Sequence, residues 1–499
     1  QSLENALASV ESVGDIMLMT LVDEKRLERL LRKQDASSQT QLQESLDTLI
    51  ESGIDFALLI PSEDGDEVTP PSEDDTSGED AAQEVAAVDG ETQAETDDGD
   101  TAEEEGEEEE EVVTIDLRQF RADFRGELDL GDGFFSELRT RFGYSDYTHT
   151  EFEGAEVGTV FEVQGIEARL ELVQNPQENW RGSLGLQYTY RDFEAIGAEA
   201  FVAPNLTNQF AVFGLQEFDI GEFQLEGALR YETTDVESQL LGVDRSFDAI
   251  SGAATFAYES ESGLRLGITG SRAERAPSAE ELFANGPHIA TQAFEIGDPN
   301  LAKESSWGAE AFLRGKVGQA NVSVAVFKNW FDKYIFLSET GAEEDDLPVF
   351  QYLQSDATYF GIEGEISYPI IDSGPFTLLA DIRGDYVKAE LDNGTSLPRI
   401  PPLSLLGALE AQTEQFDARA EVQWFDSQNE VAPFETATDS FTFVNASIAW
   451  RPLANRENLS VILQANNIFD VNGRRHASFT KDFVPLAGRN FKVSVQTSF

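Results

Sequence analysis

The chain holds three histidines, at 149, 288 and 476, and no cysteine, so few side chains could bind a metal or act as a nucleophile. Without thiols there is no disulfide framework, no thiolate metal site and no cysteine nucleophile. His288 has the most suggestive neighbours. Glu295 and Asp298 follow it closely, and imidazole mixed with carboxylate suits zinc or a similar divalent ion. The spacing is not a standard zinc pattern, so loop packing and cation ligation both fit His288 at this point. His149 ends the run Tyr144-Ser-Asp-Tyr-Thr-His149 and reads as an interfacial or loop residue. His476 falls in a late polar segment and could join a site only through the fold. Serines and carboxylates are present, but no spacing marks a nucleophile with its base, so an enzyme is not expected.

The elements that must position these groups are strands. From Trp180 to Tyr190 one face carries Trp180, Gly182, Leu184, Leu186, Tyr188 and Tyr190, and the other carries Arg181, Ser183, Gly185, Gln187 and Thr189. Successive strand side chains point to opposite faces, so this run has one apolar and one polar side. Ten steps at roughly 3.3 Å span about 33 Å. A strand tilted by roughly 40° then reaches about 25 Å, the height of the apolar band of a membrane barrel, with aromatics at both borders. The pattern recurs in Phe223, Leu225, Leu229 and Tyr231, in Leu264, Leu266 and Ile268, and in the closing run Phe491, Val493, Val495, Thr497 and Phe499. Its recurrence predicts a sheet with lipid on one side and water on the other, built from roughly 16 to 18 strands over residues 113–499. No window approaches the roughly 20 consecutive apolar residues of a membrane helix, which excludes a helical membrane protein.

Charge divides the chain into three parts. The formal net charge is −61, and residues 61–111 alone hold 24 acidic residues and no Lys or Arg. Such a tract cannot bury enough apolar surface to fold, and 61–112 is expected to be a disordered loop. It reads as a solvated loop or as a weak, unselective trap for divalent cations. Its charge argues against nucleic acid as a partner. Residues 1–60 read as a short helical N-terminal segment, with helical spacing at Leu27, Leu30 and Leu31 and at Leu42, Leu46, Leu49 and Ile50, followed by alternation at Ile54, Phe56, Leu58 and Ile60. Long segments near 192–206, 273–302, 339–348 and 470–489 are expected as loops on one side of the sheet, with short turns on the other.

Within this frame the segment Arg275-Ala-Pro-Ser-Ala-Glu-Glu-Leu-Phe-Ala-Asn-Gly-Pro-His288 is distinctive, together with Phe294-Glu-Ile-Gly-Asp-Pro-Asn-Leu301 and Lys303-Glu-Ser-Ser-Trp307. It resembles the barrel of TonB-dependent outer-membrane receptors, and most of all their zinc-uptake branch. Asn466-Asn-Ile-Phe-Asp470, the span His476 to Pro485 and Gly488-Arg-Asn-Phe491 resemble the family's last two strands. The resemblance covers residues 113–499. It implies an all-β transmembrane antiparallel barrel of the 22-stranded type, located in the cell outer membrane and filled by an N-terminal plug. Such a barrel binds a scarce ligand outside and is opened by a TonB-type energising protein. Relative to that pattern the chain is expected to lack the plug and about five early strands, and counting back from the final strand makes the acidic tract 61–112 an early extracellular loop.

The resemblance raises a ligand role for the loop that opens at Asn285. Asn285, His288, Glu295 and Asp298 become the candidate ligand-binding residues and His288 the candidate metal ligand, with zinc or another divalent metal as transported ligand and no resident cofactor. Expected partners are membrane lipid, a metal ion or metal chelate and, if a plug is present, a TonB-type protein. The alternative is a plug-less, porin-like channel or a non-transporting receptor remnant that only binds ligand at the surface. Arg181, Arg191, Glu226 and Arg230 would face the lumen, where water or a plug can satisfy them.

Overall fold

The alternating runs become long antiparallel strands. The computed structural model describes residues 113–154, 156–197, 200–452 and 459–497, together with the backbone of two short strands, Met17–Thr20 and Phe56–Leu58. One sheet holds 21 strands, of which two are those short segments and two, Asn285–His288 and Ala293–Ile296, form a hairpin inside a connection. The other seventeen run in chain order from Val113–Asp129 to Asn490–Thr497, each pairing antiparallel with the next. On its other side Val113–Asp129 pairs with Met17–Thr20, which pairs parallel with Phe56–Leu58. That last strand lies within the alternating run from Ile54 to Ile60. The helices predicted around Leu27–Leu31 and Leu42–Ile50, and the acidic tract 61–112, lie outside the described residues.

Register aligns the apolar faces of neighbouring strands. Leu184 sits opposite Gly214, Leu186 opposite Val212 and Tyr188 opposite Phe210. These side chains are open to the surroundings: Leu229 is 63% exposed and Ile268 62%. An apolar belt this extensive exceeds what a water-facing surface carries and has the character of a wall against hydrocarbon. Aromatics border it, with Trp180 stacked on Phe218 at 5.9 Å on one side and the exposed cross-strand pair Trp307 and Trp330 on the other. On the opposite face the four expected inward charges are paired. Arg181 meets Glu217 at 2.6 Å and Asp219 at 2.7 Å, Arg191 meets Glu280 at 2.7 Å, Arg230 meets Glu232, and Glu226 lies 3.9 Å from Arg265.

Connection length separates the two ends of the sheet. One end has tight turns such as Gly221-Glu222, where Gly221 takes a φ of 65° that a side chain would oppose. The long connections 276–303, 392–403, 426–440 and 467–489 all lie at the other end. Two of these, 276–303 and 467–489, fall where loops were predicted. Residues 192–197 of the segment 192–206 are strand, because Trp180–Gly197 runs on past the expected boundary, and the next strand, Asn205–Ile220, begins at its far end. Segment 339–348 is the tip of a projecting hairpin formed by Ala320–Glu344 and Leu347–Asp372. Its turn residues Asp345 and Asp346 take φ of 51° and 59°, a two-residue hairpin geometry that Asp tolerates. His149 lies on the strand Phe135–Glu153, stacked on Phe161 at 4.4 Å.

The connection 276–303 folds back onto the inner side of the strand ends. Its short helix Ala279–Phe283 starts with a reciprocal capping box between Ser278 and Glu281. Leu282 and Phe283 pack into an apolar cluster with Phe193, Val236, Phe247, Leu301 and Ile335. Gly297 runs so close beneath the helix that a Cβ there would lie 2.9 Å from Glu281 O. This core fixes the hairpin that carries His288.

Candidate ligand-binding site

His288 and Glu295 are brought together by the hairpin Asn285–His288 and Ala293–Ile296, which turns through the 3-10 segment Ile289–Thr291. His288 is opposite Ala293, so Glu295 is its diagonal neighbour on the same face. Its Nδ1 lies 2.8 Å from Glu295 Oε1, and its ring stacks on Phe201 with centroids 4.1 Å apart. Glu295 is buried and fully engaged: Oε1 also accepts from the Thr291 hydroxyl at 3.4 Å, and Oε2 accepts from the Tyr352 hydroxyl at 3.3 Å. A carboxylate at Nδ1 favours the tautomer whose Nε2 carries a lone pair, the form that ligates metals. Burial first, and the Glu295 charge second, push the Tyr352 hydroxyl well above its ordinary pKa, which keeps it a donor.

His288, Glu295 and Tyr352 line a cavity of about 420 Å³ together with Phe201, Tyr334, Phe336, Arg399 and Phe479. The other acids at its wall are already matched. Glu280 is held below the usual carboxylate range because the Arg191 charge and local hydrogen bonds outweigh the burial that would raise it. Glu281 is bridged by both terminal nitrogens of Arg275, at 2.8 and 3.1 Å. Tyr334 accepts from Tyr359 at 2.7 Å. Arg399 differs from these groups. Its guanidinium has a 3.5 Å contact to Leu337 O and sits 4.9 Å from the centre of the Phe479 ring, and no ion pair with a carboxylate is present among the described residues. Burial lowers its pKa, but a guanidinium stays charged under all ordinary conditions. The cavity thus offers one free imidazole nitrogen, one cation and several aromatic walls.

Behind Arg399 lies a buried knot of charge. Glu435 Oε1 accepts from the backbone N–H of Arg399 at 2.8 Å and from Lys481 Nζ at 3.1 Å, and it lies 3.2 Å from His476 Nε2, off the hydrogen-bond direction. Its Oε2 accepts from the backbone of Ala432 at 3.0 Å. His476 is 2% exposed and Lys481 4%. Burial would raise the Glu435 carboxyl, but the His476 ring, the two backbone donors and the Lys481 charge outweigh it and hold the pKa at about 2.

Of the candidates named from sequence, the fold joins His288 to Glu295. Asn285 is exposed and ties the hairpin to Phe201 through its backbone at 2.7 Å, and Asp298 caps Asn300 through a 2.8 Å bond to that N–H. Neither lines the cavity. His476 does join a cluster through the fold, 3.0 Å from Thr438 Oγ1. Sequence reasoning missed Tyr352, Arg399 and Glu435. Arg399, flanked by Pro398 and by Pro401-Pro402, carried only a turn signal. Among the described residues no group of three or more His, Asp or Glu is arranged to hold a metal ion.

An antiparallel wall with an apolar belt, tight turns at one end and a ligand-sized cavity under long loops at the other has the architecture of a membrane β-barrel. The family model "TonB dependent receptor-like, beta-barrel" matches residues 63–468, and the chain belongs to that family, whose members are receptors and transporters rather than enzymes. Solved structures agree in fold. The copper transporter OprC superposes with a TM-score of 0.66 at 16% identity, covering 77% of this chain and 66% of that one. The FrpB iron transporter from Neisseria meningitidis gives 0.61 at 14% identity, over 77% and 63%. The Serratia marcescens hemophore receptor HasR, in complex with its hemophore HasA and heme, gives 0.58 at 16% identity, over 78% and 66%. The chain therefore spans just under two thirds of the length of these proteins.

Proposed function

We propose that this chain is the barrel of an outer-membrane receptor that captures a metal chelate beneath its outer loops and passes it into the lumen, energised by a TonB-type protein where a plug is present. One observation carries the reading: a Glu295-oriented imidazole and an Arg399 cation that forms no ion pair among the described residues share one aromatic-walled cavity at the loop end of the strands. A single imidazole is too few donors for a bare ion, which needs a cage of three or four protein ligands. It suits a metal, zinc or one of similar chemistry, that arrives with most of its coordination filled by an organic ligand. Arg399 complements the negative charge of such a chelate, and the aromatic walls complement its apolar surface. The exposed apolar belt supports the outer-membrane setting.

Calorimetric titration of the lipid-reconstituted chain tests this with two probes, zinc chloride and the anionic zinc–citrate complex. Binding of the complex that weakens about tenfold or more in His288→Ala is expected. Equal binding of free zinc and the complex, unaffected by that change, would overturn the chelate reading. Steady conductance of the same protein in a planar bilayer would favour an open, porin-like channel.

A further inference from the structure

Residues from three other parts of the chain converge on Arg399. It belongs to 392–403; Glu435 comes from 426–440, Lys481 and Phe479 from 467–489, and Leu337 from the projecting hairpin. The Arg399 backbone takes a φ of 60°, in the left-handed region that a long side chain does not favour. Its N–H is held at 2.8 Å by Glu435 Oε1, the oxygen that also receives Lys481. A carboxylate that is otherwise engaged only with buried donors therefore holds the turn from which the guanidinium projects. Arg399 lines two cavities. One is the cavity of His288, and the other is a smaller one of about 80 Å³ lined by Phe434, Glu435 and Lys481. Phe479, the ring beneath it, lies two residues before Lys481 and leans on Phe350 at 4.8 Å.

From this geometry we infer that Glu435 is a positioning residue: it locks the left-handed turn at Arg399 and so sets the guanidinium as the anion-reading group of the ligand cavity, and Lys481 of the terminal loop holds Glu435 in place. The inference rests on the cavity reading above and adds its specificity device. Glu435 does not itself touch ligand. It acts through Arg399, and the terminal loop becomes part of the ligand site although only Phe479 of that loop reaches the cavity wall.

Because Glu435 acts through Arg399, the two substitutions must not add. Glu435→Ala, which removes the acceptor of the Arg399 N–H, and Arg399→Gln are each expected to weaken binding of the zinc–citrate probe about tenfold, the worth of a charge-assisted contact. The double variant is expected to bind no worse than Arg399→Gln alone. Additive losses, or an unchanged Glu435→Ala, would overturn the inference. A second readout needs no ligand. Phenylglyoxal modification of the folded full chain, followed by peptide mass spectrometry, is expected to label Arg399 several-fold faster in Glu435→Ala while other arginines keep their rates. Failure of the wild-type chain to bind the probe would sink the cavity reading, and the labelling rates would still decide the positioning role. Equal labelling in both proteins would sink the latter.

Discussion

On the inner wall of the strands, Arg121 meets Asp123 two residues along the same strand at 2.6 Å with both side chains largely in solvent; in the crown of loops, Lys481 meets Glu435 at 3.1 Å with both almost sealed from it. The two pairs have the same chemistry and opposite consequences. The wall pair recurs as Arg139 with Glu137 and Arg169 with Glu171, a lattice that keeps the inner face polar while each member contributes little by itself. In the crown each charge has lost its water, so removing one partner leaves the other stranded. The wall therefore tolerates change residue by residue, whereas the crown holds three loops through one carboxylate.

The sharpest break in this contrast is Lys481→Ala, which leaves Glu435 buried with too little compensation. Hydrogen exchange of loops 426–440 and 467–489 is expected to report an opening free energy lowered by about 3–5 kcal/mol. Unchanged protection would mean that the buried pair does not hold the crown. Next comes the outer wall. Leu184 lies between the border aromatics Trp180 and Tyr188 on the exposed apolar face, and Leu184→Arg should cost about 2–4 kcal/mol when the chain is folded into lipid vesicles. A wall that faces water would accept that arginine without loss.

Acid tests the crown more gently. The Glu435 carboxyl sits at about 2 when folded, against an ordinary value of 4.5, so its contribution is complete above about pH 4.5 and is lost as pH falls toward 2. Each pH unit in that window removes at most about 1.4 kcal/mol. Exchange at pH 3.5 should already show looser loops 426–440 and 467–489, with the central strands unchanged. The smallest effect is expected from Arg121→Ala: no measurable change in stability, because that pair is exposed. A clear loss of thermal stability there would show that the inner wall is less hydrated than its exposure indicates.

How much of this was legible beforehand depends on how far apart in the chain the interacting groups lie. Strand faces follow from a period of two, so Trp180, Leu184 and Tyr188 could be placed outward, and Arg181 and Arg191 inward, from spacing alone. His288 and Glu295 were also within reach, since a short hairpin makes them diagonal neighbours. Loop lengths were harder to read. The projecting hairpin with its Asp345-Asp346 turn looked like a polar loop because polarity marks exposure and does not distinguish an extended strand in water from an irregular connection. Asn285 and Asp298 shared the right residue types, but the capping and edge geometry of their loop turned them to backbone work.

By itself, the order of residues determined the class of wall, its two faces and the absence of thiol chemistry, because these are local properties of composition and period. Tertiary structure alone decided which polar groups meet in the crown. Arg399, Glu435 and Lys481 come from separate connections and carry no shared spacing, and only the packing of the strand ends brings a carboxylate, a buried lysine and a left-handed turn within 3.1 Å of one another. Such contacts are set by where seventeen strands deliver their loops in space, which no window along the chain contains.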